Sequence, residues 1–328
     1  MKNICILCGG AANKIKDLKE DYLQGQLSGF YKESLDYIPK TGNYELYSCK
    51  KCLLEYAMPQ LPGSDEFYTW VVKHNNYYPS IRWGWDRVKE TVENIISKTK
   101  KQVKVLDVGC GSGEFLKYLR EMNQDIDLVG VDVTSSSIEK CKSYGLEAYC
   151  CDVKDLHTNI VKKFDVITSF HSLEHVANPI QFMLAIRSLL KGKKEKGGGE
   201  GIIYVSVPYS PMSIEALWFD PLNNPPHHLT RWNESSLTEL GKRIDLNSEI
   251  FLSPTKSLVT RTVSSLVLRI KQKFKVNPSA FCKIYLYLAY ALVEPLVTIQ
   301  AFRLQFQRKR IDGKVAPDEI MVRFQSKN

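Results

Sequence analysis

The stretch Val103-Lys104-Val105-Leu106-Asp107-Val108-Gly109-Cys110-Gly111-Ser112-Gly113-Glu114-Phe115-Leu116 constrains this chain more than any other. Apolar residues at 103, 105, 106 and 108 predict a buried strand, the glycines a tight turn, and Glu114 to Arg120 a helix packed back onto that strand. Glycine lets the backbone turn and come close to a ligand, and a helix amino terminus offers free amides and the positive end of its dipole. Strand, glycine turn and helix together predict a nucleotide-type pocket.

Glycines alone fit a dinucleotide fold as well. Here Asp107 precedes the first glycine, and the loop from Gly109 to Gly113 lacks the two-residue gap of the dinucleotide fingerprint. The string resembles motif I of the class I methyltransferases that use S-adenosylmethionine. Three more markers follow in that family's order: Val129-Gly130-Val131-Asp132, Cys151-Asp152-Val153, and Phe170-His171-Ser172-Leu173-Glu174-His175-Val176 after a fourth strand. The resemblance implies a cofactor site of Asp107, Gly109, Gly111, Gly113, Asp132, Val133, Asp152, Val153 and Phe170. In it Asp132 grips the ribose hydroxyls and Asp152 with Val153 meets the adenine. Cys110 is expected to fill space in the loop.

From residue 103 onward, strands and helices alternate. Strands are expected at 103–108, 127–131, 146–150, 164–169 and 202–207, with helices at 113–122, 135–143 and 178–190 between them. A helix at 234–243, capped by Asn233, and strands near 248–252 and 319–325 complete the pattern. Continuous apolar strands joined by helices imply an α/β fold covered on both faces. The resemblance makes it a doubly wound, seven-stranded, mostly parallel sheet of the class I methyltransferase type. Along the chain we expect a zinc-binding module over 1–62, an aromatic-rich lid or linker and lead-in helix over 63–100, and the methyltransferase core over 101–254. A basic and apolar helical insertion over 255–316 precedes the last strand of the core sheet, 317–328.

Cys5-x-x-Cys8 and Cys49-x-x-Cys52 are two short knuckles, each able to aim a pair of thiolates at one ion, and together they predict a structural four-sulfur zinc site. They resemble the zinc module that precedes many bacterial methyltransferase domains, except that Leu53 stands where the second knuckle usually has glycine. The segment between the knuckles shows no clear pattern. Beyond Pro59, Pro62 and Gly63 comes the run Phe67, Tyr68, Trp70, Tyr77, Tyr78, Trp83 and Trp85, which serves either as a wall over the cofactor or as packing between module and core.

Between Thr255 and Lys283 there are seven lysines or arginines and no acids, and Ile284 to Val293 is apolar and rich in tyrosine. That run is too short to span a bilayer. It fits a cap or subunit contact first, so a homodimer is an open expectation, and peripheral membrane contact through 255–310 is the alternative. The net charge of +9 selects no partner by itself. The apolar opening Ile4 to Cys8 is too short for a secretory signal, and nine cysteines without one suggest a reducing, cytoplasmic setting.

Methyl transfer from a sulfonium is an in-line displacement, so the protein must align the reactants and, for an oxygen acceptor, remove a proton. Histidine suits that task near neutral pH. His171 follows strand four, and Asn224-Pro225-Pro226-His227-His228 lies on the loop after strand five, which makes His228, His171 and His227 the candidate bases. The resulting expectation is O-methylation of a small molecule or glycan, such as a sugar hydroxyl. A membrane-surface lipid or quinone methyltransferase and a non-catalytic zinc-containing scaffold are the alternatives. No nucleic-acid partner is expected, because the Asn-Pro-Pro-Tyr type signature is absent after strand four, where the chain reads Ser169-Phe170-His171-Ser172.

Overall fold

A computed structural model describes residues 4–74, 82–158, 160–192, 200–211, 220–264, 294–307 and 315–326, with 266, 292 and 310 as single positions. Tyr77, Tyr78 and most of the run Ile284 to Val293 lie outside the described residues.

The segment between the cysteine knuckles is ordered, contrary to its unpatterned sequence. It holds strand β1 (Ala12–Leu18), helix α1 (Glu20–Tyr31) and strand β2 (Tyr44–Cys49), with β3 (Glu55–Met58) after the second knuckle. The interior of β1 is exposed along its whole length, so no apolar alternation marks it. Backbone pairing with β2, from Ala12 opposite Cys49 to Leu18 opposite Tyr44, holds it instead. Helix α2 (Asp65–Val72), capped by Ser64, buries Phe67 and Val71 against Leu27 and Ile38.

Helix α3 (Trp85–Thr99) leads into the main sheet. Its elements are β4 (Lys104–Val108), α4 (Glu114–Met122), β5 (Asp127–Asp132), α5 (Ser135–Ser143), β6 (Glu147–Cys150), β7 (Val166–Phe170), α6 (Pro179–Ser188) and β8 (Ile202–Pro208). The short β9 (Thr230–Arg231) and α7 (Glu234–Arg243) follow, then β10 (Asn247–Leu252), α8 (Pro295–Gln307) and β11 (Glu319–Gln325). The expected strand at 164–169 begins two residues later, since Phe164 makes only an isolated bridge with Leu190. The expected fold class holds: the order is β10-β11-β8-β7-β4-β5-β6, with β11 antiparallel to both neighbours and the other pairs parallel. The chain leaves β4 toward β6 and then crosses to β7, so the crevice at the carboxyl ends of β4 and β7 is where such sheets bind ligands.

The cysteine module is tied into this body. Its sheet has the order β1-β2-β3-β9, so the fourth strand comes from the segment after β8. Cys5, Leu7 and Tyr56 share one buried apolar cluster with Tyr209, Trp232 and Leu237. The boundary at residue 62 is therefore one of chain order, and the two sheets pack as neighbours. Of the insertion, residues 258–264 begin a helix, and α8 carries Leu296 and Ile299 exposed. Among the described residues, no helix is long and apolar enough to cross a membrane.

Candidate active site

The carboxyl ends of β4, β5 and β7 open into a cleft of about 730 Å³. Asp107, Gly109, Gly111, Asp132, Val133, Asp152, Val153, Phe170, His171, His227 and His228 all line it, so residues far apart in sequence share one cavity. Gly113, the remaining member of the expected set, caps α4 with φ +81°.

The glycine turn needs its glycines. Gly109 has φ +74°, and a Cβ there would stand 2.0 Å from Ser172 Oγ. At Gly113 a Cβ would meet Cys141 Sγ at 2.7 Å. Cys110 fills space as expected, its sulfur buried where a Cβ on Gly130 would come within 2.7 Å. Asp132 fixes the turn from the neighbouring strand, its Oδ2 accepting from the Gly111 amide at 2.9 Å and its Oδ1 from the Thr134 amide at 2.8 Å. Asp107 is almost fully buried and accepts from Thr168 Oγ1 at 2.7 Å. Burial pushes its carboxyl up to about 7 against the pull of that hydrogen bond. A backbone cradle with two fixed carboxylates is a donor and acceptor set that fits the amine, ribose and adenine of an S-adenosyl cofactor.

The opposite wall is a histidine and carboxylate cluster. His171 has φ +54°, a conformation a non-glycine residue adopts only when its surroundings enforce it, and its amide donates to Ser206 O at 2.9 Å. Its Nε2 lies 3.0 Å from Glu319 Oε1 and its Nδ1 3.3 Å from Glu174 Oε1. Burial and the nearby Arg82 guanidinium disfavour the charged ring, but the two carboxylates outweigh them and raise its pKa. Glu319 is held low, since the histidine outweighs the upward push of burial. Glu174, Glu319 and Arg82 were not singled out as site residues by the sequence. Glu319 opens β11 opposite Pro208 of β8 and becomes visible only once that pairing is known.

His227 and His228 sit on a loop braced by its own side chains. Arg231 donates to Asn223 O at 2.9 Å and to Asn224 Oδ1 at 2.5 Å, and Asn224 donates to Asp220 O. His175 packs on both loop histidines. Of the aromatic run, Tyr68 meets this cluster over His175 and His227 and Phe67 meets His227, while Trp85 packs beside Phe115 and Phe170.

Away from the cleft, Cys5, Cys8, Cys49 and Cys52 are all buried with their sulfurs within 4.8 Å of one another. The Cys5–Cys52 and Cys8–Cys49 separations are 3.6 and 3.4 Å, against about 3.8 Å between sulfurs of a tetrahedral zinc site. Amides of Leu7, Gly10, Lys51 and Cys52 point at these sulfurs. The cluster is compatible with zinc.

Comparison with known proteins agrees with the geometry. A family model described as a methyltransferase domain matches residues 82–249, just over half of the chain. Among curated relatives, the ubiquinone biosynthesis O-methyltransferase of Haemophilus ducreyi is 30% identical over 113 residues, 31% of this chain and 44% of that protein. A Xenopus tropicalis tRNA (carboxymethyluridine(34)-5-O)-methyltransferase is 26% identical over 114 residues, 35% of this chain and 17% of that protein. The chain thus spans less than half the length of these relatives. Among solved structures, a plantazolicin methyltransferase with S-adenosylhomocysteine aligns over 81% of this chain and 92% of its own, at TM-score 0.49 and 15% identity.

Proposed function

The chain belongs to this methyltransferase-domain family, and from that premise we propose that it is an S-adenosylmethionine-dependent methyltransferase acting on a hydroxyl of a small molecule or glycan. The observation that carries the reading is that the glycine cradle with Asp107 and Asp132 opens on the same cleft as His171. Asp107, Asp132, Asp152 and the Gly109–Gly113 turn would hold the cofactor, which when bound supplies a methyl group made electrophilic by its sulfonium.

His171 is the proton acceptor in this reading. Its Nε2 donates to Glu319, which leaves the lone pair on Nδ1. Glu174 stands beside Nδ1 without hydrogen-bond alignment, so an acceptor hydroxyl can give its proton there and the imidazolium formed is then paired with Glu174. His227 and His228 serve as wall. Apolar rings such as Trp85, Phe115 and Phe170 exclude water from the line of transfer.

A second acceptor class, a phenolic hydroxyl of a quinone precursor, is favoured by what the ubiquinone-named relatives are said to make. The exposed Leu296 and Ile299 of α8, within the 255–316 insertion, would place such an enzyme at a membrane surface or against a second copy. We also assign a structural zinc to the four cysteines, and a cytoplasmic location.

Calorimetric binding of S-adenosylmethionine, with Asp132→Ala as control, tests the cofactor. Trapping products 14 mass units heavier from separate glycan and lipid extracts then names the acceptor. No binding, or binding unaffected by Asp132→Ala, would sink the reading.

A further inference from the structure

His175, His227 and His228 form a group that the proton transfer above does not use. His175 ends the turn after β7, and the other two stand on the loop before β9. Their ring centroids are 4.5, 4.7 and 4.7 Å apart, and one ring nitrogen from each lies within 4.8 Å of the other two.

Each ring is held in one tautomer. His175 Nδ1 lies 2.6 Å from His227 O, His227 Nδ1 2.7 Å from Leu222 O, and His228 Nδ1 2.9 Å from Asn223 Oδ1. Carbonyl oxygens only accept, so the proton of each neutral ring is on Nδ1 and its lone pair on Nε2. Metal-ligating histidines are fixed in this way, with the far nitrogen donating to a carbonyl or amide oxygen.

A second observation points to a cation at the same place. Glu174 is 1% exposed, and neither carboxylate oxygen has a hydrogen-bond partner. A buried carboxylate in that condition calls for positive charge nearby. His171 Nδ1 lies 3.3 Å from Glu174 Oε1 and His228 Nε2 lies 3.9 Å from the same oxygen, so this carboxylate borders the imidazole group.

We propose that His175, His227 and His228 are a three-imidazole site for a divalent first-row transition-metal ion, with Glu174 as the negative charge beside it. Bonds of about 2.1 Å need nitrogens about 3.4 Å apart, so small side-chain rotations bring the observed spread into range. Imidazole donors favour zinc, iron, nickel or copper over magnesium or calcium, and three of them leave a coordination position open to the cleft. The site stands apart from the cysteine cluster and goes beyond the methyl-transfer reading, since an ion could hold an acceptor oxygen or serve the fold alone.

The test uses Co²⁺, whose absorption distinguishes sulfur from nitrogen ligands. Full-length protein loaded with Co²⁺ and desalted is assayed for metal per chain and for its visible spectrum, beside His227→Gln and His228→Gln. The expected result is one equivalent lost in each variant, while the thiolate-to-cobalt band of the cysteine cluster keeps its intensity. Equal metal content in wild type and both variants overturns the site. So does a wild-type spectrum containing only thiolate-bound cobalt, a readout that stands even where a variant does not fold. Cofactor binding, measured separately, keeps the two readings distinct: cofactor binding without the extra ion sinks the site alone, and the ion without cofactor binding sinks the methyl-transfer reading alone.

Discussion

The Ala57 amide donates to Leu229 O at 2.8 Å, and this hydrogen bond joins the strand after the second cysteine knuckle to the residue that follows His228. One residue further, Tyr56 pairs with Thr230, and Glu55 with Arg231, the side chain that also braces Asn223 and Asn224. On the other side the Leu229 amide donates to Glu174 O. The cysteine module is thus the outer support of the histidine loop.

Cys49→Ser, which removes one ligand of the zinc proposed for the module, should therefore loosen that loop and leave the glycine cradle intact. Misplacement of substrate-positioning groups by about 1 Å can cost on the order of 100-fold in rate. The expected outcome is a fall in kcat of roughly 10- to 100-fold with the dissociation constant of S-adenosylmethionine little changed. Parallel loss of cofactor affinity would show that the module supports the whole fold instead.

The cradle has its own signature. Asp132→Ala frees the Gly111 and Thr134 amides and removes a carboxylate from the cleft. Loss of charged hydrogen bonds of this kind costs about 1.5–3 kcal/mol each, so affinity should drop at least about tenfold by calorimetry. Gly109→Ala should abolish binding, because its Cβ meets Ser172 and its φ is positive. An intact isotherm in either variant would contradict the placement of the cofactor.

Most of this arrangement is legible in the sequence where local pattern and function coincide. The strand before Gly109 and the helix after it are marked by periodicity, and the acids at 107, 132 and 152 by the resemblance to the class I methyltransferase motifs. The second wall is different in kind. His175 meets His227 across 52 residues and His171 meets Glu319 across 148, through packing of a turn on a loop and the antiparallel entry of β11. No spacing rule encodes such pairs. The strand β1 was hidden for another reason: its side chains face solvent, and only its backbone partners make it a strand.

Leu53 offers a test of local strain. It stands at φ +59° in the second knuckle, where its amide donates to Cys49 O and its carbonyl accepts from Asn233 Nδ2. A left-handed conformation costs an L-residue about 1–2 kcal/mol, whereas glycine loses about 0.5–1 kcal/mol more than alanine in chain entropy on folding. Leu53 is also more than one-third exposed, so little burial is lost with it. Leu53→Gly should stabilise the protein by about 0.5–1 kcal/mol in denaturant unfolding of the metal-loaded form. A destabilised variant would mean that the leucine side chain matters more than its backbone.

The pH dependence of turnover should report His171. The groups facing it are Glu174, Glu319 and Arg82, with His228 nearby, and their balance raises its pKa above the ordinary histidine value. A base works when neutral, so kcat should rise with pH through an apparent pKa above about 6.5. Glu319→Gln removes a carboxylate that favours the imidazolium, so the rising limb should move toward acid while a weakened hold on the ring lowers the plateau. Stability follows the opposite sense. The raised pKa of His171 contributes stability that is full below its unfolded value and is lost as pH rises through the folded one, whereas Glu319, held low, contributes above its unfolded value and loses it in acid. The difference in stability between wild type and Glu319→Gln should therefore be largest between those two limits and shrink on either side. A rate profile that stays in place in Glu319→Gln would assign the proton transfer to another group.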